Sequence, residues 1–551
     1  MIPFGLKDKF NPSTSQGIKA GRTRVPTWIV VMPDIACVAL LLVFWVVYVG
    51  PVVVGEQRHG YDAFRDVGSA VNMQKGLFLV DPAYRGQDLW YPPLSPLIVA
   101  GTSLVLRVAP IDCYRWSGLL LNWLIPAGLF WTMRLQWGRR AAICGTVALL
   151  FAMPWWQREV HQGQASIHSA ILGWGALALY AQQRKRRSSV WALACGVFQG
   201  ICFWHHPIVP ALLGASFLLQ SLWEVLRAGK SGWLCGEVRR SLLTAAATLV
   251  VASPILYQML HGPVLNHAGR EYVAGELQSV EFALVQGNAW VWVMGLVGVR
   301  SCVRRGDWGG RVLVSYLAVA LLGQAPGYLR LYGGEWAMRI PVVVPHEFQR
   351  FFQLGWAVAV GVGIDVALAG LATKFVRGRR FLLGLAALVA CVITGGRGLA
   401  EAKDNYRQYL HRFPEDPVLR EAGRWILENT NIEDVFACDP QLALTWLNAE
   451  TGRRVWVMPE GHSNPRVDWH ERAAVLAEMG STSSPERFWQ LAHAHGIDYI
   501  VPSPGWLPNV VADPNLYGQA VPAFLRQVYG GARTTAIFRV AAIPAGEVRN
   551  F

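Results

Sequence analysis

The sequence is poor in acidic residues and has no paired cysteine motif. Its 551 residues include 36 Asp and Glu against 50 Lys and Arg, and charged residues make up only 16% of the chain. The nine cysteines are scattered, mostly within or beside apolar runs. Neither a disulfide framework nor a zinc site is therefore indicated, and the histidine spacing forms no metal-binding motif.

Long apolar runs are what the sequence has in abundance. Hydrophobic residues make up 53% of the chain, with 25 Trp, and the runs recur from Trp28 to about Val392. Runs of this length can cross a bilayer, so the sequence predicts a polytopic α-helical membrane protein. The first run begins late and has no small-residue cleavage site behind it, so we expect it to remain as the first span.

Basic clusters between the apolar runs predict the orientation of the chain. A net charge of +14 would suggest nucleic acid in a soluble protein, but here the basic residues form topology signals, and no nucleic-acid partner is expected. By the positive-inside rule they are cytoplasmic, together with the tail 1–27. The clusters are Lys7 to Arg24, Arg184 to Arg187, Arg239 and Arg240, Arg304 and Arg305, and Lys374 to Arg380.

The apolar runs predict about 11–12 transmembrane helices. Later runs lie near 190–206, 208–225, 241–260, 284–303, 311–329, 349–372 and 381–396. Earlier runs lie near 28–50, 94–109, 116–134, 141–155 and 165–182. These five runs lie between two basic clusters that are both predicted to be cytoplasmic. A chain that returns to the same side crosses the membrane an even number of times, so we expect one of the five to be re-entrant or not to span.

The last part of the chain differs from the membrane region 28–398. Charge density rises, and four short strand patterns appear around helical ones: DVFACD, RRVWVMP, IDYIVPS and TTAIFRVAA. The sequence thus predicts a small extracytoplasmic α/β domain over 399–551. We expect its tryptophans to pack this domain.

The predicted first external loop, 55–92, begins with two acids. Asp62 and Asp66 are four residues apart and would share one face of a helix. A solvated loop needs no function for its acids, and Asp66 could simply pair with Arg65 or Arg58. Downstream stand Gly76, the Asp81-Pro82 turn and the helix start Tyr91-Pro92-Pro93-Leu94.

Taken in order, these residues resemble the first external loop of the GT-C glycosyltransferases. The likeness is greatest to the branch that uses mannose or a related sugar linked to polyprenyl phosphate. Gly163 and Gln164 are similar to a pair that this branch carries at the outer start of a helix. The chain departs from the branch at three places: Asp66 where an aromatic is usual, Val80 where the turn has Tyr, and His205-His206 where many members have Lys.

The resemblance implies an inverting transferase on the extracytoplasmic face. It would move mannose or a similar sugar from a polyprenyl-phosphate-linked donor to a lipid, glycan or protein acceptor. Asp62 would be the general base, because a carboxylate near the attacking hydroxyl can take its proton, and Asp66 is the second choice. GT-C enzymes with monophosphate lipid donors generally work without a metal, so no metal or cofactor is expected.

The leaving phosphate needs cations at the membrane surface. Arg350 lies just inside the start of an apolar helix, where a cation is often functional, although snorkelling to lipid headgroups is an equal alternative. The predicted groups for donor phosphate are Arg350, His346, Arg339 and His206. The predicted substrate-binding residues are Gln164, His161 and Tyr91.

Two other classes of protein remain open on the sequence. A transporter or flippase would use the buried His and Arg residues to line a path, but no inverted repeat relates the two halves. A non-catalytic membrane scaffold would bind a partner through its external domain. A scaffold function would leave unexplained why the motif residues of the first loop occur in this order along the sequence.

Overall fold

The structure is a computed structural model of the chain. It describes residues 34–46, 58–59, 61–153, 156, 163–228, 236–261, 273–278, 289–333, 345–374, 411–412, 417–512, 524–530 and 535–541, apart from 40, 44, 60 and 276. The predicted tail 1–27, the predicted last span 381–396, His161 and Arg339 lie outside these residues.

Helices dominate the part of the chain before residue 375. In order they are α1 Tyr61–Gln74, α2 Leu94–Leu106, α3 Pro110–Leu121, α4 Leu124–Gln136, α5 Arg139–Ala152, α6 Ala165–Arg186, α7 Ser189–His205, α8 Ile208–Ala228, α9 Gly236–Leu260, α10 Ala289–Arg305, α11 Trp308–Leu322, α12 Ala325–Tyr332 and α13 Pro345–Lys374. Most coincide with apolar runs. The starts are fixed locally: Ser188 accepts from the backbone N–H of Val190, and Asp307 from that of Gly310.

Within the described residues, four helical stretches are long and apolar enough to cross a membrane. They are Ile208–Leu226, Gly236–Leu260, Trp308–Tyr332 and Pro345–Gly370. The pair Leu94–Leu106 and Pro110–Gln136 passes the same test together but is bent by 102°. This bend falls among the five early runs, where a re-entrant segment is predicted. The prediction of a polytopic α-helical membrane protein is confirmed.

Helix α13 is the centre of the bundle. It packs against α5, α10 and α11, and most of its first twenty residues are buried. Close approach to α10 depends on glycine: a Cβ at Gly298 would lie 1.8 Å from the Ala359 carbonyl oxygen, and one at Gly363 1.9 Å from that of Met294. The two backbones are therefore in direct contact, as small residues permit in membrane bundles.

An apolar cavity of about 260 Å³ lies inside the bundle. It lies between α4, α6, α8, α11 and α13, and aromatic side chains such as Trp131, Trp174 and Trp308 line it. On α13 its lining residues are Phe351, Leu354, Gly355 and Val358, which follow the segment that carries His346 and Arg350.

The C-terminal part forms the predicted α/β domain. Its strands are β3 Val435–Ala437, β4 Arg454–Val455, β5 Tyr499–Ile500, β6 Leu525–Tyr529 and β7 Ile537–Val540. The sheet order is β4-β3-β5-β7-β6, in which β3 pairs in parallel with β4 and β5 while β7 pairs antiparallel with β5 and β6. A short pair, β1 Arg58–His59 and β2 His411–Arg412, lies outside this sheet. The helices are α14 Pro417–Asn429, α15 Pro440–Leu442, which continues as the π-helix Ala443–Thr451, α16 Trp469–Ser481, α17 Pro485–Ala494 and α18 Asn509–Ala512.

Four of these five strands follow the predicted strand patterns. Strand β6 was not predicted, because its sequence LRQVY buries one end and leaves polar residues exposed, and so shows little strand pattern. The prediction that tryptophans pack the domain is confirmed for Trp446, Trp456 and Trp506, which are all buried.

Helix α1 packs against the C-terminal domain and shares a hydrophobic core with it. Phe64 and Val67 of α1 lie in one cluster with Phe436 and Trp446 of the domain. The backbone N–H of Val455 donates to the Ala83 carbonyl at 2.8 Å, which joins the first loop to β4. The predicted domain boundary at residue 399 thus separates α1 and the first loop in sequence from the C-terminal domain, although these parts pack against each other in the fold.

Asn448 of the π-helix lies directly against α1 at Gly68. Its Nδ2 donates to the carbonyls of Pro82 at 2.6 Å and Arg453 at 3.0 Å. A Cβ at Gly68 of α1 would lie 2.0 Å from Asn448 Oδ1. The Asn448 amide is fully buried, and moving it would break these two hydrogen bonds. Asn448 is therefore held in place, and residue 68 has no room for a side chain.

Gly68→Ala is therefore expected to destabilise the protein despite the better helix propensity of alanine. Gly101→Ala in α2 is the matched control, because nothing lies within 4 Å of a Cβ there. Thermal unfolding in detergent, followed by tryptophan fluorescence, should show a lower Tm for Gly68→Ala only. Equal Tm values for both variants would contradict the close packing of α1 on the π-helix.

Candidate active site

Arg65 lies between two carboxylates on α1. Its Nη1 is 3.1 Å from Asp62 Oδ1, and its Nε and Nη2 donate to Asp66 Oδ1 at 3.2 and 3.1 Å. The helical spacing of the three residues brings both acids to one guanidinium. The two acids differ in exposure: the side chain of Asp62 is 32% exposed, whereas that of Asp66 is only 1% exposed.

The surroundings of Asp62 and Asp66 shift the pKa values of the two carboxyls in opposite directions. Burial by itself raises the pKa of Asp62, but Arg65 and His462, with a contribution from His346, outweigh burial and hold this pKa well below its usual range. Burial raises the pKa of Asp66 to about 6 against the effect of Arg65, and the charge of Asp62 adds to the rise. Asp62 is thus an ionised, partly accessible carboxylate at neutral pH, while Asp66 serves mainly as a buried partner of Arg65.

Aromatic residues of the helix start cover Arg65. The guanidinium carbon lies 3.7 Å from the centre of the Tyr91 ring and 5.7 Å from that of Trp90, in cation–π contact. The Tyr91 ring in turn meets His206, at the end of α7, with 5.9 Å between ring centres. The predicted substrate-binding residue Tyr91 therefore joins the acids of α1 to the α7 end of the bundle.

The start of α13 carries a second group of charges. Arg350 is 2% exposed, and its Nη1 donates to both Glu347 oxygens, at 3.1 and 3.0 Å, and to Ser166 Oγ at 2.7 Å. His346 Nε2 lies 3.8 Å from Glu347 Oε1. Gln164, the predicted substrate-binding residue, is the N-cap of α6 and is buried two residues before Ser166.

The C-terminal domain adds a histidine to this group. His462, in the short 3₁₀ helix Glu460–His462, places Nδ1 3.5 Å from Asp62 Oδ1. His462 also lines a small cavity together with Arg65, Tyr91 and Asn464. Asp62 is thus bordered by three parts of the chain: α1 itself, the start of α13 and the C-terminal domain.

Asp81, part of the loop motif, has a structural role here. Its Oδ1 accepts from the backbone N–H groups of Ala83 and Tyr84 at 2.8 and 2.9 Å, and its Oδ2 from Asn464 Nδ2 at 2.8 Å. Burial raises the pKa of Asp81 to about 6, which these backbone donors oppose. Since Asn464 is two residues after His462, Asp81 helps to fix the segment that carries His462.

The structure brings most of the predicted site residues together. Asp62, Asp66, Tyr91, His206, His346 and Arg350 interact directly or through one intermediate residue. The sequence interpretation missed the pairing of Glu347 with Arg350, although their i,i+3 spacing signals it. It also missed His462, for which the sequence carries no local signal.

Comparisons with known proteins show the class of fold. No protein-family model and no curated protein sequence matches the chain. Among solved structures, the archaeal oligosaccharyltransferase AglB from Archaeoglobus fulgidus, in complex with an inhibitory peptide and a dolichol-phosphate, matches 86% of this chain and 70% of its own. The TM-score is 0.57 at 10% sequence identity.

Two further structures match almost the whole chain. ArnT from Cupriavidus metallidurans bound to undecaprenyl phosphate has a TM-score of 0.54 at 14% identity and covers 94% of this chain and 100% of its own. The arabinofuranosyltransferase AftD from Mycobacteria has a TM-score of 0.57 at 13% identity, over 93% of this chain and 40% of its own. The chain therefore has the fold of the GT-C membrane glycosyltransferases, and the resemblance drawn from the sequence is confirmed at the level of the fold.

The buried pair of Arg65 and Asp66 generates a stability prediction. Arg65→Met leaves the Asp66 carboxyl buried without its cation, which should cost about 3–5 kcal/mol of unfolding free energy. The double variant Arg65→Met/Asp66→Leu should recover much of that loss, because no fully buried carboxylate is then without its cation and Asp62, the other partner of Arg65, is 32% exposed. Arg526→Met, at an exposed position of β6, is the control. Thermal unfolding in detergent measures all three, and additive losses in the double variant would contradict the coupling.

Proposed function

We propose that the protein is an inverting membrane glycosyltransferase that moves mannose or a similar sugar from a polyprenyl-phosphate-linked donor to a lipid, glycan or protein acceptor. Transfer takes place on the extracytoplasmic face, with Asp62 supplying the carboxylate of the general base. The observation that carries the proposal is the position of Asp62: the carboxylate is partly exposed, pairs with Arg65 and lies within electrostatic reach of His346 at the start of α13.

The acceptor hydroxyl attacks the anomeric carbon through an oxocarbenium-like transition state as the phosphate leaves. Its proton must go to a group beside the attacking oxygen. Asp62 is better suited than Asp66, because the side chain of Asp62 is partly exposed whereas that of Asp66 is almost fully buried. A base on the face of the sugar opposite the leaving group gives inversion.

The donor phosphate would bind at the start of α13. His346 and Arg350 lie in its first two turns, and the N-terminus of a helix favours an anion. Glu347 accepts from Nη1 of Arg350, and this ion pair orients the guanidinium at the start of α13. His206 stands beside this group across the ring of Tyr91. Arg339 and His161, which lie outside the described residues, stay in the proposal on sequence grounds.

The apolar cavity supports a lipid-linked donor. It is lined on α13 by Phe351, Leu354, Gly355 and Val358, which follow Arg350 on that helix. A polyprenyl chain is apolar and is favoured in apolar surroundings. In structures of the same fold, AglB is complexed with a dolichol-phosphate and ArnT with undecaprenyl phosphate. Both ligands are prenyl monophosphates, the lipid carrier of the donor proposed for this chain.

Asp62→Asn should abolish sugar transfer, with a loss of about 10²-fold or more in kcat, because the amide cannot take a proton. The measurement is transfer of radiolabelled mannose from polyprenyl-phosphate-mannose into the lipid, glycan and protein fractions of membranes that contain the protein. Asp88→Asn is the matched control, since Asp88 is an exposed acid of the same loop. Full activity of Asp62→Asn would refute the assignment of the base.

Removing the Arg350–Glu347 pair as a unit should weaken donor binding without unfolding the protein. In Arg350→Gln/Glu347→Gln no buried charge is left unpaired. We expect KM for polyprenyl-phosphate-mannose to rise about tenfold or more, since a charge-assisted hydrogen bond contributes about 1.5–3 kcal/mol. Initial-rate kinetics at varied donor concentration test this, with Tm as the folding control. An unchanged KM would remove Arg350 from the donor site.

A further inference from the structure

His462 is the residue of the C-terminal domain that lies against the proposed base. Its Nδ1 is 3.5 Å from Asp62 Oδ1, and its side chain remains 18% exposed. The 3₁₀ helix that carries it is held by neighbouring bonds: Tyr84 Oη and Ser463 Oγ are 2.6 Å apart, and Asn464 donates to Asp81. The imidazole is thus placed beside the carboxylate by the fold, from a segment about 400 residues away in sequence.

The state of Asp62 creates a chemical difficulty that His462 resolves. Arg65 and His462 stabilise the ionised form, so the pKa of Asp62 stays low against the effect of burial, and the carboxylate alone is a weak proton acceptor. An imidazole held by a carboxylate is a stronger acceptor near neutral pH, and the carboxylate stabilises the imidazolium that forms. The separation of 3.5 Å is an ion-pair distance, and the two side chains divide the task in that way once this contact tightens to a hydrogen bond in the complex with substrate.

We infer that the general base of this protein is the pair of Asp62 and His462, in which Asp62 orients the Nδ1–H of His462 and His462 Nε2 takes the proton of the acceptor hydroxyl. The inference rests on the proposed function. As the bond from the acceptor oxygen to the anomeric carbon forms, the O–H proton moves to Nε2. The bond from that carbon to the phosphate oxygen breaks, and its electron pair leaves with the polyprenyl phosphate. The imidazolium then returns its proton to water.

This pair makes the C-terminal domain part of the reacting centre. His462 also borders a small cavity of about 10 Å³ together with Arg65 and Tyr91, so the imidazole lies beside the aromatic and cationic groups of the first loop.

His462→Gln tests the inference, because glutamine can still donate to Asp62 but cannot take the proton. We expect kcat for transfer from polyprenyl-phosphate-mannose to fall about 10²-fold, with KM within about threefold and Tm unchanged. In His462→Ala, added imidazole should restore part of kcat, an effect that a merely structural histidine would not show. His470→Ala, at an exposed histidine of α16 in the same domain, should behave as wild type with and without imidazole.

The possible results separate this inference from the proposed function. If wild type and His470→Ala transfer mannose, Asp62→Asn is inactive and His462→Gln retains most of its kcat, Asp62 acts alone and the pair is wrong. If His462→Ala loses activity in proportion to its Tm and imidazole restores nothing, His462 is structural and the pair is again wrong. If Asp62→Asn is as active as wild type, the proposed role of Asp62 fails first, and the pair falls with it.

Discussion

The arrangement of the site depends on one buried cation. Arg65 neutralises Asp66, touches Asp62 and lies on the ring of Tyr91. Burial of these groups costs free energy that only mutual contact offsets, so each fixes the others in one geometry. Because Tyr91 immediately precedes the prolines before α2, the same cation ties the acids of α1 to the direction in which the chain enters the bundle.

The second constraint is the joint packing of α1 and the C-terminal domain. Gly68 allows α1 to approach Asn448, and the Asp81 turn is bonded to Asn464. The loop motif from Asp62 to Tyr91 therefore has two structural roles. Its Asp62 end faces the start of α13, and its middle, the Asp81 turn, supports the C-terminal domain. A reacting centre assembled in this way requires both the membrane bundle and the domain to be folded.

The sequence predicted the elements of this protein better than their contacts. The apolar runs and strand patterns carry local periodicity, so α7 to α13 and β3 to β5 could be placed from the sequence. The approach of His462 to Asp62 could not be predicted, because it depends on tertiary packing across some 400 residues. The pairing of Asp66 with Arg65 was one of the alternatives left open by the sequence, and the structure shows it.

One of the three departures from the branch pattern, Asp66, also gains a physical reason. Where an aromatic is usual, Asp66 supplies a carboxylate that holds Arg65, and Arg65 then sits on Tyr91 and beside Asp62. A neutral residue at 66 would leave Arg65 with Asp62 as its carboxylate partner on α1 and would draw it toward the proposed base. With Asp66 present, the stronger contacts of the guanidinium are on the buried side. The Asp62 carboxylate is then shared between Arg65 and His462, so it can hold the imidazole while it stays ionised.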